Sequence, residues 1–206
     1  KLIIKYTINI REEIVMKYDF KTLVKRNNSG SFKWDEMYEE NPNVGDDIVP
    51  FSVADMELKN APEIMEGLRH FLNDDHIILG YTGPTKAFFD AIIGWMKRIH
   101  NWEIKEEWIF QTAGVIPGLY NLVNAFTKEK DGVIIMPPVY YPFKRCVSQT
   151  NRTLVEVPLV NKDNYYYIDF ELLEEKVKEE NTKLLILCSP HNPIGRVWRK
   201  EELEKL

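Results

Sequence analysis

Three short stretches put residue types suited to binding small polar groups at the ends of apolar runs. In Gln111-Thr112-Ala113-Gly114-Val115-Ile116-Pro117-Gly118, a proline stands where the first turn of a helix tolerates it, and Leu119, Leu122, Val123 and Phe126 continue that helix. Gly114 and Val115 therefore fall where backbone N–H groups lack helical acceptors. With the positive end of the helix dipole they could hold a phosphate without any basic side chain, although a glycine there is also explained as a plain cap. The second stretch, Pro137-Pro138-Val139-Tyr140-Tyr141-Pro142-Phe143, offers two adjacent tyrosines that on their own read as packing aromatics. The third, Ser189-Pro190-His191-Asn192-Pro193-Ile194-Gly195, can hold the Asn192 amide rigidly, because two prolines and a glycine fix a tight path around it. Tyr81 lies in Gly80-Tyr81-Thr82-Gly83, and a tyrosine between glycines reads as a surface turn.

Each of the three stretches directly follows a short apolar run: Trp108-Ile109-Phe110, Gly132-Val133-Ile134-Ile135-Met136, and Leu184-Leu185-Ile186-Leu187. The last of these reads as a strand covered on both faces, as in parallel sheets, with Cys188 inside the buried run. Thr153 to Val157 reads as a further strand, with Leu154 and Glu156 on one face and Val155 and Val157 on the other. Asp169 can cap a helix through Leu173 and Val177. Strands alternating with helices from Trp108 onward indicate an α/β fold with a largely parallel sheet. The carboxyl ends of its strands share one edge, so loops distant in sequence can converge on one cleft. Upstream, Pro62 opens a helix whose Ile64, Met65, Leu68, Phe71 and Leu72 read as core packing, and Phe88, Ala91, Ile92, Trp95, Met96 and Ile99 mark a second amphipathic helix.

The chain has 206 residues, 44% of them hydrophobic, which supports a packed core. A net charge of -5 with both signs interspersed argues against nucleic acid or an anionic membrane as the main partner. Cys146 and Cys188 have no metal-like or redox-like spacing and fit free thiols in a reducing cytoplasm. Residues 1–15 contain no apolar run long enough for a signal peptide or membrane span and read as an extension.

From about Tyr18 to Leu206, these motifs and their order resemble the pyridoxal-phosphate enzymes of the aspartate aminotransferase fold. The nearest likeness is to the cystathionine β-lyase or C-S lyase branch, related to the bacterial maltose-regulon modulator. Ser31-Phe32-Lys33-Trp34-Asp35 is similar to a basic-aromatic-acidic segment near the start of such lyases, and reads as part of an arm that packs on a neighbouring domain. Val53-Ala54-Asp55-Met56-Glu57 is similar to the segment that lines their active-site entrance, with Glu57 and Leu58 where an Asp-Phe pair is usual.

The resemblance implies a three-layer α/β/α large domain, incomplete at its C-terminal end. It divides the chain into 1–15 as an extension, 16–60 as arm and small-domain segment, and 61–206 as a partial cofactor-binding domain. It implies pyridoxal 5'-phosphate as cofactor, with Gly114, Val115 and Ile116 at the phosphate and Tyr140, rather than Tyr141, over the ring. Asn192 would bond the ring hydroxyl, and Tyr81 would reach the phosphate of the other subunit of a homodimer. Asp55 and Met56 would line the substrate's path. Ile194 stands where many relatives have threonine, which removes a hydroxyl contact there.

Complete relatives continue through an aspartate that pairs with the pyridine nitrogen and a lysine that forms the Schiff base, and neither motif is found here. Lys144, Lys162 and Lys183 read as surface charges. The implied reaction is cleavage of a sulfur amino acid such as cystathionine to thiol, pyruvate and ammonia, inactive in this chain alone. An aminotransferase of the same fold and a non-catalytic truncated product are the competing readings.

Overall fold

The computed structural model describes residues 18–45 and 47–206, so the extension expected over 1–15 lies outside the described residues. Two compact units result, one reaching to Thr82 and the other running from Gly83 to Leu206.

The second unit is built on a parallel sheet of β1 (Gly132–Ile135), β2 (Thr153–Glu156) and β5 (Thr182–Leu185), in the order β2-β1-β5. β1 is central, pairing Ile134 with Val155 on one side and with Leu185 on the other. Alternation along each strand sends side chains to opposite faces, and the two faces carry separate cores. Ile134, Met136, Val155 and Val157 pack with Leu173 and Trp198 on one side. Val133, Ile135 and Ile186 pack with Val123, Phe143, Cys146 and Val147 on the other. Helices α4 (Val115–Phe126) and α5 (Tyr141–Gln149) thus cover one face, and α6 (Phe170–Lys178) covers the other. This is the three-layer α/β/α arrangement expected from the sequence. Asp169 caps α6 as expected, accepting from the Leu172 amide at 3.0 Å.

A hairpin of β3 (Val160–Lys162) and β4 (Tyr165–Tyr167) joins β2 to α6. Its two-residue loop, Asp163-Asn164, has positive φ at both positions, the geometry that matches the twist of paired strands.

Three expectations are not met. Residues 108–110 form no strand; Glu106–Trp108 is a 3₁₀ turn, closed by the Trp108 and Ile109 amides on the carbonyls of Lys105 and Glu106. A strand's donors need a neighbouring strand, and among the described residues none runs beside this segment. β5 is covered only in part: Leu185 packs on one core and Leu184 on the other, both half-buried, Leu187 is exposed and Cys188 lies beyond it half-buried, because β5 is an edge strand with β1 as its only strand neighbour among the described residues. The apolar side of α2 (Pro62–Leu72) is not core either, since Ile64, Leu68, Phe71 and Leu72 are exposed. The helix α3 (Lys86–His100), at the start of the second unit, likewise has no buried residue.

In the first unit, α1 (Phe32–Glu40) places Lys33 and Trp34 in its first turn with both side chains buried. Lys33 Nζ donates to the Asp55 carbonyl at 2.8 Å and to Glu57 Oε2 at 3.0 Å, and the Trp34 indole donates to Glu57 Oε1 at 3.0 Å. The two stretches singled out near the N-terminus therefore pack on each other. No described helix is long and apolar enough to cross a membrane.

Candidate functional site

β1 and β5 are parallel neighbours, so the loops that follow them emerge at the same sheet edge. The first holds Tyr140, the residue that caps α5. Its ring meets Phe143 edge-on with centroids 6.2 Å apart, whereas the Tyr141 ring is more exposed and carries the Arg145 guanidinium 4.9 Å over its face. Tyr141 is thus already engaged on one face.

The second loop folds on itself. The His191 amide donates to the Arg196 carbonyl and the Gly195 amide to the His191 carbonyl, both at 2.7 Å. Gly195 turns the chain at φ +70°, a left-handed conformation that glycine adopts without a Cβ penalty. The Arg196 guanidinium, buried, donates to the Tyr166 carbonyl at 2.9 Å, bonds the Tyr165 hydroxyl and Glu202, and stacks on the Tyr165 and Trp198 rings. Trp198 in turn donates to the Cys188 carbonyl at 2.8 Å. Asn192 sits on this base with its amide N–H on the Cys188 sulfur at 3.4 Å and its side chain exposed.

His191 links the two loops. Its ring is 1% exposed and its Nε2 lies 3.0 Å from the Pro138 carbonyl, two residues before Tyr140. Burial pushes the imidazole below its ordinary value, against the favourable carbonyls of Pro138, Cys188 and Met136.

Gly114 caps α4 at φ +138°, a conformation that L side chains rarely adopt, and its carbonyl accepts the first helical bond from Gly118 at 3.1 Å. The Val115 and Ile116 amides lie in the first turn, where no helical acceptor exists. Ile116 packs in the same apolar cluster as Val139 and Cys188. It is through this cluster, rather than through a direct bond, that the Gly114 turn joins the other two loops. A rigid run of N–H groups with no basic side chain in the turn suits a phosphate, so the residues present fit that group.

Asp55, Met56 and Tyr81 belong to the first unit. Asp55 pairs with Arg26 at 2.7 Å and with Lys33 at 2.9 Å; Met56 and Tyr81 are exposed. Lys144, Lys162 and Lys183 are exposed on the second unit.

Residues 46–206 match the family described as aminotransferase class I and II. The chain belongs to that family. Among curated relatives of this aminotransferase family, it is 44% identical over 160 residues to cystathionine beta-lyase PatB of Bacillus subtilis, covering 78% of this chain and 41% of that protein. It is 29% identical over 188 residues to protein MalY of Escherichia coli, covering 91% and 47%. Among solved structures, cystalysin from Treponema denticola, which contains pyridoxal 5'-phosphate, superposes with a TM-score of 0.87 at 53% identity, covering 91% of this chain and 47% of that one. The PLP-bound C-S lyase of Staphylococcus hominis gives 0.81 at 31% identity. The chain spans about half the length of the curated relatives it matches.

Sequence reasoning singled out His191 only as part of a loop and gave Arg196 and Trp198 no role. A polar residue between two prolines and an Arg-Val-Trp triplet just after a turn were the available signals.

Proposed function

We propose that this chain is the N-terminal, cofactor-holding half of a pyridoxal-phosphate-dependent C-S β-lyase that cleaves cystathionine or a cysteine conjugate to a thiol, pyruvate and ammonia. The observation that carries this reading is the 44% identity to a cystathionine beta-lyase across 78% of the chain. When bound, the cofactor supplies an electron sink for the charge left at the substrate's Cα. The Gly114, Val115 and Ile116 backbone holds its phosphate, Tyr140 covers one face of its ring and excludes water, and Asn192 donates to the ring hydroxyl. Asp55 and Met56 line the substrate's path.

The whole protein acts as a cytoplasmic homodimer in which Tyr81 of one subunit completes the site of the other. On this reading the chain alone does not turn over, because none of Lys144, Lys162 and Lys183 stands in a motif like that of the relatives' Schiff-base lysine.

An aminotransferase reading is favoured by one observation, the 43% identity and TM-score of 0.82 to a PLP-bound putative aminotransferase from Clostridium difficile. The two readings differ in what is released. The whole protein given cystathionine and no keto acid should release pyruvate and ammonia in equal amounts; turnover only when a keto acid is added would assign it to the aminotransferases.

A further inference from the structure

His191 is the buried side chain that bonds one loop of the candidate site to the other, and neither the phosphate, ring nor hydroxyl contact uses it. A carbonyl oxygen only accepts, so the 3.0 Å contact between Nε2 and the Pro138 carbonyl requires the proton on Nε2. In a neutral ring Nδ1 is then a bare acceptor, and it is buried with no hydrogen-bond partner among the described residues. The ring is held from its other side by Trp198, edge to face with centroids 5.4 Å apart at 86°. Trp198 is fixed in turn by its bond to the Cys188 carbonyl and by the stacked Arg196. The His191 ring therefore makes one hydrogen bond, across two loops, and meets an aromatic wall that leaves it little freedom to turn. Tyr140 stands two residues after the carbonyl it holds, and Asn192 is its immediate neighbour.

We propose that His191 is a positioning residue, whose Nε2–H tautomer sets the spacing between the Tyr140 ring and the Asn192 amide and so tunes how the site holds a flat aromatic phosphate ester. This rests on the reading that the edge binds pyridoxal phosphate. Leaving an imidazole acceptor unpaired in an apolar pocket costs stability. That cost is consistent with a residue kept for geometry, and a hydrophobic residue of similar size would pack there without it.

The test uses the whole protein with ¹⁵N-labelled histidine and three forms: unaltered, His191→Phe and His191→Gln. Ring ¹⁵N spectra read the tautomer without any cofactor, and a Nδ1–H ring in the unaltered protein would overturn the proposal outright. With pyridoxal phosphate added, the visible absorbance of the bound cofactor is titrated against pH and its dissociation constant measured. His191→Phe, which fills the pocket but cannot donate, should bind the cofactor about tenfold or more weaker and shift the titration midpoint, the size of effect expected from misplaced contact groups. His191→Gln, which keeps an N–H donor, should recover most of both. Equal loss in the two variants, or no change in either, would show that His191 only fills space. If His191→Phe does not fold, the Gln variant decides: near-unaltered binding and midpoint support the proposal, and losses of both overturn it. An Nε2–H ring in a protein that binds no pyridoxal phosphate would sink the cofactor reading while leaving the loop tie intact.

Discussion

Lys33 and Glu57, 24 residues apart in sequence, meet with Nζ 2.8 Å from Oε1, and their side chains are only 1% and 6% exposed. The ammonium has three donors, and the Asp55 carbonyl, the Asp55 carboxylate and Glu57 lie around it. One buried cation thereby fastens the segment 55–57 to the first turn of α1. Burial opposes the charge on Lys33, but hydrogen bonds to Glu57 and Asp55 outweigh it and raise the group above its ordinary value. The bond from Lys33 holds Glu57 below the ordinary carboxylate range, and the bonds from Lys33 and Arg26 do the same for Asp55.

An acid sensitivity of this unit follows. A carboxylate held down in the folded state contributes stability that is complete above its unfolded value, about pH 4, and is lost as pH falls through the folded value. The Val24 and Asp55 amides, which donate to the Glu57 and Val53 carbonyls at 2.7 and 2.9 Å, should therefore keep their protection from exchange, relative to the intrinsic rate, at pH 6 and lose it below about pH 4. Lys33→Met should make exchange fast at pH 6 as well, because it leaves Glu57 buried without its partner. Lys33→Met with Glu57→Met should recover protection, since two apolar groups bury no charge. Equal exchange in the single and double variants would contradict this account.

A core prediction concerns the central strand. Ile134 is 1% exposed and packs on the face covered by α6. Ile134→Ala should lower unfolding free energy by about 2–5 kcal/mol, the range for removing a buried aliphatic side chain in a packed core. Urea unfolding followed by circular dichroism measures it; a midpoint within error of the unaltered chain would mean that the two-faced core is not as described.

Much of this second unit was legible because its signals are local. Continuous apolar runs marked β1 and β5, alternation marked β2, and Asp169 marked the start of α6. The residues 108–110 looked the same to a periodicity argument, yet strand formation depends on a partner that periodicity does not reveal. The apolar stripe of α2 similarly reported amphipathicity, while burial depends on what packs against it. The His191, Arg196 and Trp198 arrangement was opaque because its bonds run to Pro138, Tyr166 and Cys188, through carbonyl oxygens that every residue type carries.

Tyr81 gives a test of subunit sharing. It is fully exposed in a loop between glycines, and a two-fold pairing would place both copies equivalently. Whole-protein chains carrying Tyr81→Phe, mixed with chains lacking the Schiff-base lysine, should form hybrid dimers with one unaltered site, and activity should reappear on mixing. Hybrids that regain no activity would show that each site is completed within one subunit.

The turn before α4 is proposed to hold a phosphate by its backbone. The most direct measurement compares the affinities of pyridoxal phosphate and pyridoxal for the whole protein with and without Gly114→Val. Gly114 occupies φ +138°, where a β-branched side chain is strained, and its Cβ would point toward Pro117 Cδ at 3.7 Å, so the turn should shift and its N–H groups lose their aim. The unaltered protein should prefer the phosphate ester strongly, and Gly114→Val should reduce that preference about tenfold or more while leaving pyridoxal binding nearly unchanged. An undiminished preference for the phosphate ester in a folded Gly114→Val protein would contradict it.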